Sequence, residues 1–184
     1  MKYGKVFPHI LFAVLVGAFV LINNPDLISN KFNFSSPNTE IIETKETAKV
    51  RRVIDGDTIE VLLNNKKDAV RLIGIDAPET DDPRKTVECF GREASDKAKE
   101  VLNGKTITLE SDPTQGDRDK YHRLLRYVFL NDLNFNKFMI SEGYAHEYTY
   151  KSNPYKYMEE FINAEKEARK NKKGLWNENV CKNP

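Results

Sequence analysis

Residues 53–79 read VIDGDTIEVLLNNKKDAVRLIGIDAPE. Ile59, Val61 and Leu63 recur at every second position, so Thr58 to Leu63 reads as a half-buried strand. Asn64-Asn65-Lys66-Lys67-Asp68 reads as a turn, and Ala69 to Ile75 as the returning strand. A strand from Val50 to Ile54 precedes them and breaks at Asp55-Gly56. The hairpin thus carries an acidic cluster at each end, Asp55-Gly56-Asp57-Thr58 and Asp76-Ala77-Pro78-Glu79.

Opposed residues of an antiparallel pair share a constant index sum. A turn centred between Lys66 and Lys67 would set Asp57 opposite Asp76, within about 5 Å between backbones. Like charges so placed repel, and a divalent cation or a shared proton would offset that. Oxygen donors without His or Cys suit a hard cation, Ca²⁺ or Mg²⁺. The alternative is that both aspartates are solvated turn residues. Arg71, in the apolar run Val70 to Ile75, needs an anionic partner, and its planar fork suits phosphate. Arg71 and Asp76 are five residues apart, so a flat strand would point them to opposite faces; the reading requires a bend, placed at Gly74.

Downstream, Arg92 to Leu102 is helical, with Ala94, Ala98, Val101 and Leu102 on one stripe and Asn103-Gly104 ending it. Thr106 to Glu110 and Leu124 to Leu130 are strands, and the polar Asp112 to Tyr121 between them reads as a mobile loop. Asn134 to Glu142 is a short helix. Asn153-Pro154 resembles a cap with a first-turn proline, opening a helix to about Lys172 with Met158, Phe161, Ile162 and Ala168 inward. Five strands and three helices give an α+β fold, a five-stranded barrel of the OB type with three packed helices.

The 184 residues hold 29 Lys and Arg against 28 Asp and Glu. Near-neutrality excludes a polybasic binder that holds nucleic acid by bulk charge. Four charges of each sign lie in residues 1–46, so residues 47–184 carry 25 basic and 24 acidic side chains. Three scattered His and two Cys exclude a zinc finger. Lys2 and Lys5 precede an apolar run from Ile10 to Ile22, which as a helix spans only about 20 Å. That predicts a signal peptide or an uncleaved membrane anchor over 1–22, a linker over 23–46 and the folded domain over 47–184. The chain is expected to be exported, either secreted or anchored facing outward, and to be monomeric. In that setting the even cysteine count predicts a Cys89–Cys181 disulfide, worth about 4–5 kcal/mol in the chain-entropy account.

Val53 to Thr58, Arg71 to Glu79 and Asp119-Lys120-Tyr121-His122-Arg123, in that order and spacing, resemble the staphylococcal-nuclease (thermonuclease) family over roughly Lys49 to Trp176. Gly174-Leu175-Trp176 also fits that pattern. The resemblance implies an OB-fold barrel, one Ca²⁺ and phosphodiester hydrolysis in DNA and RNA. It implies Asp57, Asp76 and the main-chain carbonyl of Ala77 as metal ligands; many relatives have Thr where Ala77 stands. Arg71 and Arg123 would stabilise transition-state charge, and Glu79 would hold or activate the attacking water. Lys120 and Tyr121 would touch a terminal phosphate, and Tyr148 and Tyr150 the nucleotide, the last pair at a spacing shifted by about one residue.

His122 and His146 are not needed by this scheme, Arg169 to Lys173 reads as a solvated helix end, and Trp176 reads as core. Two other functions compete: a non-catalytic OB-type nucleic-acid-binding module and an anchored interaction domain. The joint presence of Asp57, Asp76, Glu79, Arg71 and Arg123 favours an enzyme.

Overall fold

β1 (Lys45–Val53), β2 (Thr58–Leu63) and β3 (Lys66–Leu72) form a meander in the computed structural model, which describes residues 44–80 and 87–181. β4 (Ile75–Asp76), α1 (Gly91–Leu102), β5 (Thr106–Glu110), β6 (Leu124–Leu130) and β7 (Leu133–Asn134) follow. α2 (Phe135–Ser141), β8 (His146–Glu147) and α3 (Met158–Lys170) complete the regular elements. The sheet order is β3-β2-β1-β5-β6-β7, and a parallel β3–β6 pairing closes β1, β2, β3, β5 and β6 into a five-stranded barrel. The α+β, OB-type expectation with three helices therefore holds. Val50, Ile59, Val61, Val70, Leu72, Leu109 and Tyr127 fill the barrel and are at most 1% exposed.

Several expected boundaries move. β1 begins at Lys45, inside the stretch read as linker, because Lys45 to Lys49 pair with β5 while Lys49 to Val53 pair with β2 across a bulge between Val50 and Arg52. The hairpin turn is Asn64-Asn65, both left-handed at φ 49° and 62°, and Leu63 pairs with Lys66. The index sum is therefore set by Thr58 opposite Arg71, and Asp57 does not oppose Asp76 in the ladder. Instead the Leu72 amide donates to the Asp57 carbonyl at 2.9 Å. The signal or anchor stretch 1–22 and most of the linker lie outside the described residues. Among the described residues no helix is long and apolar enough to cross a membrane.

The expected bend is present. The third strand ends at Leu72, and Gly74 turns the chain at φ 77° before β4. A Cβ at Gly74 would stand 2.6 Å from the Tyr155 ring. The turn is tied on several sides. Ile73 N–H donates to Arg126 O (3.0 Å), the buried Asn136 donates from Nδ2 to Ile73 O (2.8 Å), and Tyr148 N–H donates to Gly74 O (3.1 Å). Tyr155, 5% exposed, is drawn beneath this turn, so α3 starts at Met158 and not at the cap-like Asn153-Pro154.

The polar 112–121 segment is stitched down as well, contrary to a mobile reading. Asp112, 2% exposed, accepts from Tyr127 Oη (2.7 Å), Lys156 N (2.8 Å) and Thr114 N (2.9 Å). Burial pushes the Asp112 carboxyl up, but these donors outweigh it and hold the group below its ordinary value. Glu110 behaves alike: burial raises it, and Lys156, Tyr157 and Lys45 bring it below the usual range.

A carboxylate depressed in the folded state stabilises above its unfolded pKa of about 4 and loses that contribution as pH falls through the folded value. Urea midpoints are expected to fall below about pH 4, and Asp112→Asn should lower the midpoint near neutrality while flattening the acid limb. A second variant, Gly74→Ala, forces a left-handed alanine into the Tyr155 ring. It should cost about 2–4 kcal/mol by the same denaturation assay.

Candidate active site

The site is built where β2 starts and β3 ends. Asp55 Oδ1 accepts the Asp57 amide (3.0 Å), closing an Asx-type turn around Gly56. Gly56 is needed there because a Cβ would meet that of Ala77 at 2.6 Å. The turn swings Asp57 inward, 6% exposed, and its Oδ2 accepts the Ala77 amide at 2.9 Å. That bond draws the second acidic cluster against the first, a contact the hairpin register alone does not provide.

Arg71 joins the two. Its Nη2 lies 3.1 Å from Asp57 Oδ2 and 3.0 Å from Asp76 Oδ1. Its Nη1 donates to the carbonyls of Leu72 (2.9 Å) and Ile75 (2.8 Å), possible only because the chain turns at Gly74. Desolvation raises the Asp76 carboxyl above its ordinary value; Arg71 pulls it down and the Asp57 charge pushes it up. Burial and then the Asp57 charge push Asp55 up to about 7.

Thr58 continues the network. Its Oγ1 donates to Asp57 Oδ1 (2.9 Å) and accepts from Arg123 Nη1 (3.3 Å). Arg123 Nε is held by Asp119 Oδ2 at 2.7 Å, and its guanidinium lies 5.4 Å from the Tyr121 ring centre. Burial raises the Asp119 carboxyl, but Arg123 more than reverses that and leaves it low. Both guanidiniums are thus fixed to one aspartate, Arg71 directly and Arg123 through a hydroxyl.

A cleft of about 420 Å³ opens beside them. Arg71, Asp76, Lys120, Tyr121, Arg123, Tyr148 and Tyr150 line it. Tyr121, Tyr148 and Tyr150 are 66%, 43% and 51% exposed, and the last two rings stand 6.4 Å apart. Asp57, Ala77 and Glu79 are not among its lining residues. Glu79 accepts the Thr80 amide at Oε1 (2.9 Å), and its own amide donates to Glu88 Oε2 (3.0 Å). Cys89 and Cys181 are joined as a disulfide with Cα atoms 5.9 Å apart. Trp176 stands partly buried, with Arg169 stacked 3.8 Å over its ring.

Among the described residues no three His, Cys, Asp or Glu side chains form a ready metal cage. The fit rests on donor chemistry. Asp57 and Asp76 bring two carboxylates against the single Arg71 guanidinium, and the donors these two residues offer are oxygens. Surplus negative charge with hard donors, plus the adjacent Ala77 carbonyl, suits Ca²⁺ or Mg²⁺.

Asp55 and Thr58 belong to the first acidic motif, yet their roles emerge only in the folded chain. The role of Thr58 depends on the observed register, which sets it opposite Arg71 on the same face of the hairpin. Asn136, 0% exposed, had only a weak signal in the sequence, an amide set among Phe135, Phe138 and Met139.

Fold and site together define a barrel that brings arginines, aspartates and exposed tyrosines to one cleft. The staphylococcal nuclease homologue family matches residues 69–178. A thermonuclease of Staphylococcus hyicus is 43% identical over 132 residues, 72% of this chain and 76% of that protein. Endonuclease YncB of Bacillus subtilis is 38% identical over 158 residues, 82% of this chain and 74% of the relative. A thermonuclease of Staphylococcus intermedius is 40% identical over 131 residues. The chain belongs to the staphylococcal nuclease family.

Thr58→Val removes the hydroxyl that joins Asp57 to Arg123, at a cost of about 1–3 kcal/mol in the alignment of that pair. Nucleic-acid cleavage should fall by roughly tenfold or more, since 1.36 kcal/mol is a factor of ten, while Thr58→Ser keeps most of it. Steady-state rates with circular dichroism as a folding control check this.

Proposed function

We propose that the chain is a Ca²⁺-dependent nuclease that hydrolyses phosphodiester bonds in DNA and/or RNA. That it is a nuclease follows from its family and from the thermonuclease and endonucleases it matches. The metal and the residue roles are our reading. The observation that carries it is the single network in which Arg71 and Arg123 are both fixed to Asp57 at the wall of a tyrosine-lined cleft.

Asp57, Asp76 and the Ala77 carbonyl would hold the ion. Bound there, Ca²⁺ would supply fixed positive charge against the anionic ester and its transition state. With the aspartates so engaged, Arg71 Nη2 has two N–H donors to offer a phosphate. Arg123 lines the same cleft while Asp119 holds its Nε and Thr58 its Nη1. Both bind the transition state more tightly than the ester, because negative charge builds on the phosphoryl oxygens as water adds. Glu79 accepts the proton of the attacking water, the new P–O bond forms, the bond to the leaving oxygen breaks, and that oxygen takes up a proton from solvent. Lys120 faces a phosphate at the rim, and Tyr121, Tyr148 and Tyr150 give flat surfaces on which bases stack with little sequence preference. The cleft walls carry acidic as well as basic groups, so affinity away from the reacting phosphate is modest.

We also propose that the chain acts outside the reducing cytosol, released or anchored by residues 1–22. The basic start, the apolar run and the Cys89–Cys181 pair support that reading.

Incubation with single-stranded DNA should give cleavage with Ca²⁺ and none with excess chelator. Glu79→Gln and Arg123→Ala should each lower kcat by about 10²–10³-fold with the fold intact. Cleavage that survives chelation contradicts the reading.

A further inference from the structure

We propose that the Cys89–Cys181 disulfide, acting through Glu88, positions Glu79, so that turnover depends on the redox state of that bond. The inference rests on the role given to Glu79 above.

Glu79 and Glu88 are tied in both directions. The Glu79 amide donates to the Glu88 carboxylate at 3.0 Å, and the Glu88 amide donates to the Glu79 carbonyl at 3.0 Å. The first turn of α1 packs on the same backbone. A Cβ at Gly91 would stand 3.0 Å from the carbonyls of both Pro78 and Glu79. The placement of residues 88–91 therefore contributes to the placement of Glu79.

Little burial holds that segment. Val87, Glu88 and Cys89 are all exposed, and α1 has no side-chain cap. Phe90, at the cap position, is left-handed at φ 67°, a costly conformation for an aromatic residue. Its ring stacks on Tyr144 with centres 5.5 Å apart. Such a conformation persists only where its surroundings impose it, and the covalent bond at the adjacent Cys89 is the strongest constraint on hand.

The other end of that bond is firm. Cys181 is 4% exposed, and its amide donates to Asn177 O at 3.2 Å. Leu175, 1% exposed, donates its amide to Gly143 O at 2.9 Å. Gly143 and Gly174 meet backbone to backbone, and a Cβ on Gly143 would strike the Lys173 carbonyl and one on Gly174 the Gly143 carbonyl. The C-terminal strap is therefore docked on the end of α2, and the disulfide carries that rigidity to Glu88 and on to Glu79.

A dithiol reductant would supply two electrons and two protons. The S–S bond would open to two thiols, and the reductant would close to its own disulfide. Residues 88–90 would then be free to relax, and the Glu79 carboxylate would lose its fixed bearing on the water. Asp57, Asp76 and Arg71 are held chiefly by one another and by the Ala77 amide, so metal affinity should change far less than turnover.

The test measures kcat, KM and calorimetric Ca²⁺ affinity for the protein before and after dithiothreitol, with circular dichroism to follow folding. Reduction should lower kcat by at least about tenfold, as a displaced catalytic group does, with KM and Ca²⁺ affinity changed far less than kcat and activity restored on reoxidation. Glu88→Ala, with the disulfide intact, should reproduce the loss. Glu88→Gln, which keeps an acceptor oxygen, should restore most of it. In a Glu79→Gln background neither change should add a further loss. Should reduction unfold the protein, the Glu88 pair decides alone. Unchanged kcat in Glu88→Ala, with Glu79→Gln inactive, overturns the positioning role and leaves the proposed chemistry standing. Full activity in Glu79→Gln removes the role of Glu79 and this inference with it.

Discussion

One guanidinium between two carboxylates organises this end of the barrel. Arg71 Nη2 stands about equally far from Asp57 and Asp76, at 3.1 and 3.0 Å. Without it, two negative groups would converge where Asp57 is already withdrawn from water, and an uncompensated buried charge costs about 3–5 kcal/mol. The geometry has two preconditions. Gly56 lets the first acidic turn approach Ala77, and Gly74 reverses the chain so that the Ile75 carbonyl and Asp76 return to the Arg71 fork. Much of the remaining polar architecture supports the second. Asn136 reaches from α2, Tyr148 follows β8, and Tyr155 leads into α3, all meeting the backbone of residues 73–74.

The barrel explains how residues so distant in sequence share one charge network. Parallel pairing of β3 with β6 places Arg71 beside Leu125, and this brings the Asp119–Arg123 segment to the same end. Asp119 shapes that segment, accepting the amides of Tyr121 and Arg123 while gripping the Arg123 side chain. Thr58 then links Arg123 to the Arg71 side of the site. A loop anchored on one carboxylate and one hydroxyl can hold a cation facing a substrate without a broadly basic surface, in keeping with the near-neutral composition.

The strands and helices with clean periodicity were legible in the sequence. Thr58–Leu63, Thr106–Glu110 and Leu124–Leu130 are the strands expected from their apolar, β-branched and aromatic runs, and Ala94, Ala98 and Leu102 mark one buried face of α1. The hairpin register was not. Lys66, Lys67 and Asp68 look like turn residues, but they are the largely exposed first residues of β3, and the reversal is made by two asparagines in left-handed conformations. The start of α3 was obscured for a tertiary reason, since Tyr155 is used to brace Gly74 before the helix can begin. The same holds for residues 112–121, polar in sequence yet fixed by a buried aspartate whose donors come from β6 and from the segment before α3. At the site, the aspartates and arginines were visible as charged residues in or beside apolar strands. The roles of Thr58, Glu88 and Asn136 were not, because each depends on what folding brings to it.

The most direct test of the central claim is a calorimetric titration of Ca²⁺ into the protein and into Asp76→Asn. If the two aspartates hold the ion beside Arg71, the parent chain binds one Ca²⁺ and the variant binds it far more weakly, with the fold preserved. Equal binding by both proteins, or no binding by the parent under conditions where it cleaves DNA, would contradict the account.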